Sequence, residues 1–376
     1  MLKTRKIRSR FGLAAALAIL TLTLTACSIS TTSSDTEGST SEAGVFLSTD
    51  NGSTWRPMVS VPTVSGRAQS IGNINVNTMV MDPQDSRAVY LASFDRGLYY
   101  TYNVTNGWNF VAGLPAATVN AVAVDPKNKC IIYAAVANRV YRSADCSRTW
   151  SQVYFDNNQE VNVNAIAIDH YNTRNIYLGT SRGEIIKSID SGGAWRTIQR
   201  LDEGLARLII SPVDSRQIFL ATAKNKIFSF ISNTNTNPAV SEDLDRNFMV
   251  ENWTDMNQVL KDFGLGTNFR ELIITKDGVI FLASDKLFLR SPDGGISWEN
   301  IKLIQPDKDA TIGAVAVDPQ NINNIYYVTN TSFFRSSDGG ATWSTKSLPT
   351  KRAGRELLVD FKDPNVLYLG TVRLKD

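Results

Sequence analysis

The chain has 376 residues, 43% hydrophobic and 20% charged, ordinary values for a soluble globular protein and enough for one large domain or two smaller ones. Its formal charge of +3 is set by the first ten residues, where Lys3, Arg5, Lys6, Arg8 and Arg10 stand without an acid. Subtracting those five from 39 Lys and Arg leaves 34 basic against 36 acidic side chains, so bulk attraction to nucleic acid is not indicated. One histidine, His170, and three cysteines are too few for a zinc or redox cluster, and no metal or cofactor is expected.

In chain order, residues 1–10 are a basic start and Phe11 to Ala26 an apolar, helix-prone run. That run is short for a membrane span, which needs roughly 20 residues. It ends in Leu24-Thr25-Ala26-Cys27, which resembles the bacterial lipobox. The resemblance implies a signal peptide over 1–26, removal of it, and acylation of Cys27. The alternative is an uncleaved anchor with an incidental cysteine. The tether, 27–44, is Ser/Thr-rich: Ser28 to Gly44 holds ten Ser or Thr among seventeen residues, too polar to fold alone. A flexible segment of that length spans about 20–25 Å. The expected location is extracytoplasmic, on a bacterial membrane.

Residues 45–376 are repetitive. Ser48 to Trp55, Ser143 to Trp150, Ser188 to Trp195, Ser291 to Trp298 and Ser336 to Trp343 share the pattern S-x-D-x-G-x-[ST]-W, with Ser147 replacing Gly in the second and Ala194 replacing Thr in the third. In each, the aspartate (Asp50, Asp145, Asp190, Asp293, Asp338) is placed to accept N–H bonds in a tight turn. Gly suits positive φ, and the tryptophan (Trp55, Trp150, Trp195, Trp298, Trp343) opens the next strand and packs between sheets. This resembles the Asp box, a β-hairpin turn that recurs in sialidases, sortilin-type receptors, xyloglucanases and photosystem II assembly factors.

A second marker closes alternating apolar stretches at Asp82, Asp125, Asp169, Ser211, Thr275, Asp318 and Asp360, every 42–44 residues apart from one interval of 64. The long interval holds an insertion around Asn233 to Val250. In six of the seven repeats a Tyr or Phe follows eight residues later (Tyr90, Tyr133, Tyr177, Phe219, Tyr326, Tyr368). Seven tryptophans, including Trp108 and Trp253 where the turn motif is lost, match seven markers. The expected fold is all-β, a seven-bladed β-propeller of four-stranded antiparallel blades. Its last blade is closed by N- and C-terminal strands, residues 45–58 joining 354–373, which hides two sheet edges.

In such a ring the first and third turns of every blade share one face; the resemblance to known Asp-box propellers implies that this side is structural, so function is sought on the other. The turns expected there carry Arg96, Arg139, Arg182, Lys224, Lys286 and Arg373. The position five before each marker, taken as the start of the channel-lining strand, is Asn77, Asn120, Asn164, Ala206, Arg270, Gly313 and Arg355, with Arg207 beside Ala206. Arg207, Arg270 and Arg355 form a candidate site for an anion or an acidic partner. The alternative is that Glu203, Glu271 and Glu356 neutralise them. Cys130 and Cys146 are expected near one another on the turn face, either bonded or as separate thiols.

A single seven-bladed ring on a lipid anchor resembles the photosystem II stability and assembly factor family, whose members chaperone a membrane complex and carry an arginine patch. The resemblance covers 45–376 and implies a non-catalytic, monomeric docking platform for a protein complex or anionic polymer, joined to the membrane by its lipid. The alternatives are a glycoside hydrolase of sialidase or xyloglucanase type and a glycan binder without hydrolysis. Hydrolysis usually needs two carboxylates at a set separation, and none of the loop carboxylates forms a pair that stands out.

Overall fold

The computed structural model describes residues 42–103, 106–232, 248–304 and 310–374. The expected signal peptide, Cys27, the tether as far as residue 41, and residues 233–247 of the insertion lie outside the described residues.

Seven four-stranded antiparallel sheets form the propeller. Naming strands A to D from the channel outward, blade 1 is Val76–Asp82, Asp85–Ser93, Leu98–Thr101 and Asn109–Phe110. Blade 2 is Val119–Asp125, Asn128–Val136, Arg139–Ser143 and Ser151–Phe155. Blade 3 is Val163–Ile168, Ile176–Thr180, Glu184–Ser188 and Arg196–Arg200, and blade 4 is Leu205–Ile210, Gln217–Thr222, Ile227–Ser232 and Val250–Asp255. Blade 5 is Phe269–Ile274, Ile280–Ser284, Phe288–Ser291 and Glu299–Asn300, and blade 6 is Ala314–Val317, Ile325–Val328, Ser332–Ser336 and Ser344–Ser347.

Blade 7 takes strands A and B, Ala353–Val359 and Leu367–Val372, from the C-terminal side of the chain. Strands C and D, Val45–Ser48 and Arg56–Pro57, come from the N-terminal side. The join is a full ladder, Val45↔Gly370 to Ser48↔Leu367. A hairpin, Ser60–Val61 with Gln69–Ser70, lies outside the blades. A short helix, Asn257–Leu260, sits between blades 4 and 5.

The five serine–aspartate turns share one geometry. In the first, Ser48 Oγ donates to Asp50 Oδ1 (2.8 Å) and accepts from Gly52 N (2.8 Å), and Asp50 accepts from Thr54 N (2.8 Å) and Thr54 Oγ1 (2.7 Å). Three donors around one carboxylate hold Asp50, Asp145, Asp293 and Asp338 down at about 2, the threonine or serine hydroxyl being the largest cause. Burial opposes its hydrogen bonds at Asp190, which is lowered all the same. The two central residues are left-handed, Asn51 at φ 57° and Gly52 at 79° in the first turn. Ser147, in glycine's place, takes φ 68°.

The markers also have a local cause. Asp125 Oδ1 accepts from Lys127 N (2.8 Å) and Asn128 N (3.1 Å), and the same bonds recur at Asp169, Asp318 and Asp360. Ser211 Oγ does the same more loosely. An Asx or Ser turn therefore caps the A–B connection in six blades; in blade 5, Thr275 Oγ1 accepts instead from Val279 N (3.1 Å).

The aromatics of one blade reach the next. Tyr133 Oη donates to Ser191 O (2.9 Å) and Tyr326 Oη to Asn51 Oδ1 (3.0 Å), each in the serine–aspartate turn one blade on. Trp195 Nε1 donates back to Val153 O (2.8 Å), Trp343 Nε1 to Lys302 O (2.8 Å) and Trp108 Nε1 to Met58 O (3.0 Å). Trp108 is fully buried, its backbone N bonded to Ser60 O of the extra hairpin, which replaces the cover a serine–aspartate turn provides elsewhere. Burying such a ring contributes roughly 2–3 kcal/mol.

Candidate functional site

The seven A strands enclose a channel of about 490 Å³, lined at one end by Asn77, Asn120, Asn164, Arg207, Arg270 and Arg355 and at the other by Pro83 and His170. The arginine end lies opposite the serine–aspartate turns and is called the mouth.

Strand A starts one residue earlier than the sequence suggests in the asparagine blades, and the position five before the marker is a bulge in six of the seven blades; in blade 6, Gly313 precedes a regular strand. In blade 1 the register runs Val76↔Ser93 and then Thr78↔Ala92, skipping Asn77. Asn120, Asn164, Ala206, Arg270 and Arg355 are skipped in the same way. A bulge adds a residue, bends the strand and re-aims a side chain. Here it aims the side chain along the ring. Asn77 Nδ2 donates to Val119 O (2.9 Å), Asn164 Nδ2 to Leu205 O (3.0 Å) and Arg270 Nε to Ile312 O (2.6 Å), each in the following blade. These side chains staple neighbouring sheets.

This changes the reading of the three mouth arginines. Arg270 is partly buried and stapled, and burial together with the nearby Arg355 charge pulls its pKa down. Arg207 pairs with Glu271 at 3.1 Å. Arg355 has neither bond: its Nε is buried without a partner and its guanidinium lies 5.7 Å from the centroid of the Phe94 ring. Of the expected neutralisers, Glu271 fills that role. Glu203 does not: it pairs with Lys226 at 2.8 Å and accepts from Thr222 Oγ1. Glu356 accepts from Thr78 Oγ1 (3.1 Å) and Met79 N (3.3 Å) of blade 1. Burial, then the Glu271 charge, push its pKa up to about 7.

The outer cations divide as well. Arg182 bonds Asp156 (2.9 Å) and Glu184 (2.7 Å), and Glu184 also holds Arg200. Arg373 pairs with Glu42 at 3.3 Å, both exposed. Arg96, in the B–C turn of blade 1, and Arg139, the first residue of strand C in blade 2, are exposed and make no ion pair with a described residue. Cys130 and Cys146 are bonded on the turn face, with Cys146 in the C–D turn and not on strand C.

Two buried cations escaped sequence reading. Arg352, 3% exposed, donates from Nε to Thr371 Oγ1 (2.9 Å) and from Nη2 to Asn75 Oδ1 (2.8 Å) and Ile74 O, tying blade 7 to blade 1. No local pattern marks it. Lys187 donates to Ser232 Oγ (3.1 Å) over the Tyr177 ring, and burial lowers it to about 8. A signal existed there: a cation precedes the turn serine at Arg142, Lys187, Arg290 and Arg335.

No family model and no curated protein sequence matches the chain. Solved structures do. The GH74 xyloglucanase from Xanthomonas campestris aligns with a TM-score of 0.60 at 17% identity over 79% of this chain, and the GH74 enzyme of Niastella koreensis with 0.60 at 16% over 79%. The chain spans only 51% of either enzyme. YCF48 bound to D1 peptide aligns with 0.56 at 16% identity, over 81% of this chain and 94% of that one. At such identities the likeness is one of propeller fold.

Proposed function

We propose that the chain is a non-catalytic, lipid-anchored, extracytoplasmic platform built from Asp-box blades, which docks a protein partner through an acidic segment at the mouth. One observation carries this reading: Arg355 stands at the mouth on the Phe94 ring with a buried Nε–H and no acceptor, while its neighbours Arg207 and Arg270 are engaged. The other guanidinium N–H groups of Arg355 are not buried and have no protein acceptor among the described residues, so a carboxylate brought by a partner can pair with them. Support also comes from YCF48, of which the chain covers 94% and whose structure holds a bound peptide.

The test is a crosslinked pull-down of the full chain from its own membranes beside Arg355→Glu. A membrane or envelope protein retained by the wild type and lost from the variant upholds the reading. Equal recovery, or no specific partner with either chain, overturns it.

A second reading, glycan hydrolysis, draws on Glu271 and Glu356, which line one channel with unlike environments. Both already accept protein donors, and the channel mouth is ringed by staples. Release of sugar from a β-glucan by the wild type, abolished in Glu356→Gln, would favour this reading over docking.

A further inference from the structure

We infer that the part of the mouth face formed by blades 7, 1 and 2 rests on an anionic bilayer surface, so that the channel mouth looks toward the membrane. Three independent observations converge on that sector.

The first is charge. Arg96, Arg139 and Lys351 are exposed there without an ion pair to a described residue, and Arg355 lies beside them. Against them stand Asp95 and Glu42, and Glu42 is already bonded to Arg373. Across the mouth, on blades 3 to 5, Lys224 and Lys286 are exposed without an ion pair to a described residue but lie beside acids, Lys224 acting on Glu203 and Lys286 following Asp285, and the other cations are matched: Arg182 with Asp156 and Glu184, Lys226 with Glu203, Arg207 with Glu271. The positive field of this face is therefore one-sided. Each cation held near an anionic surface contributes about a fivefold gain in binding.

The second is aromatic exposure. Phe94, Phe110 and Phe155 are 38%, 42% and 57% exposed. Phe94 is in the B–C turn of blade 1 and Phe155 pairs with Arg139 at the same edge of blade 2. Phe110 lies beside the same turn, 3.4 Å from where a Gly97 Cβ would stand. Partly exposed rings interleaved with cations suit the headgroup layer, where a ring buries its face and the guanidinium keeps its water and phosphate contacts.

The third is the point of chain entry. Thr371 Oγ1 donates to Ala43 O and Gly44 O (both 3.1 Å), fixing the start of the described chain on the mouth face of blade 7. The apolar run Phe11 to Ala26 precedes it by a polar stretch of eighteen residues. A tether that reaches about 20–25 Å does not choose an orientation by itself. It raises the local concentration of lipid headgroups, so a weak, one-sided surface decides which way the ring turns. Turned this way, the mouth meets a partner that presents its acidic segment from the bilayer.

The experiment uses the full chain in vesicles of zwitterionic lipid and in vesicles with about 30% anionic lipid. Hydrogen exchange is read on peptides spanning 94–97 and 137–142, and on the serine–aspartate turn at 49–54 as reference. The expected result is exchange at 94–97 and 137–142 slowed several-fold by the anionic vesicles alone, restored in about 0.5 M salt, and restored in the double variant Arg96→Glu with Arg139→Glu. The turn at 49–54 is unchanged in every case, which shows that the variant is folded. Equal exchange on both vesicle types overturns the inference. So does protection at 49–54, and so does protection that appears only when membrane proteins are added, which would assign this surface to a protein.

Discussion

The two halves of the mouth face are made from the same repeat and end in opposite states. On blades 3 and 4, Arg182, Lys226 and Arg207 are each held by an acid that the fold supplies. On blades 7, 1 and 2, Arg96, Arg139 and Arg355 have no such acid, and rings are left exposed beside them. The difference teaches that a recurring cation at a fixed place in a repeat carries no function by itself. The neighbouring blade decides whether the charge is structural or available.

The largest expected effect is on binding. Arg355→Glu lowers recovery of a crosslinked partner at least tenfold, an effect of reversing charge at the mouth, on the order of 2 kcal/mol. The thermal midpoint stays within about 2 °C of wild type, because Arg355 makes no described ion pair. Arg182→Ala behaves the other way. Recovery is unchanged, but buried Glu184 keeps only Arg200 and Asp156 loses its cation, so the melting temperature falls by about 5 °C.

Next is a pH effect inside the channel. The carboxyl of Glu356 is raised from 4.5 to about 7, so the folded state disfavours its ionised form. The stability it permits is full below the ordinary carboxylate range and declines as pH rises through about 7. Glu356→Gln removes that decline: thermal scans show the variant more stable than wild type at about pH 8 and equal to it at about pH 4.

The smallest effect belongs to one serine–aspartate turn among five. Asp338→Ala lowers the melting temperature by about 1–2 °C, since the turn is exposed and its neighbours persist. Asp50, Asp145, Asp293 and Asp338 have folded values of about 2. Their contribution is present above the ordinary carboxylate range and is lost as pH falls toward that value, which acid titration of stability reads directly.

What was legible follows from where each partner lies in the chain. The turn at Ser48 to Thr54 was readable because all its donors and acceptors are within seven residues, and the caps at Asp125 and Asp318 for the same reason. Blade count and the shared blade 7 followed, because markers and tryptophans are local signs of a global period. The state of Arg207, Arg270 and Arg182 was not readable. Glu271 and Ile312, the partners of Arg207 and Arg270, lie 64 and 42 residues away, and Arg182 adds to its near neighbour Glu184 the distant Asp156, 26 residues away, which only the packed ring brings close. The bulge at Arg270 and Asn77 also hid the direction of those side chains, which periodicity alone aims into the channel. Arg352 and its contacts 277–278 residues distant gave no sign at all.

The most direct test is a map of crosslink positions on the unmodified full chain in its native membranes. Docking at the mouth predicts crosslinks to a single partner concentrated at 349–355, with none at 181–184 or 223–226, and none to protein at 94–97 or 137–142, which face lipid. Crosslinks spread evenly over the two halves, or gathered on the serine–aspartate turns, would contradict it.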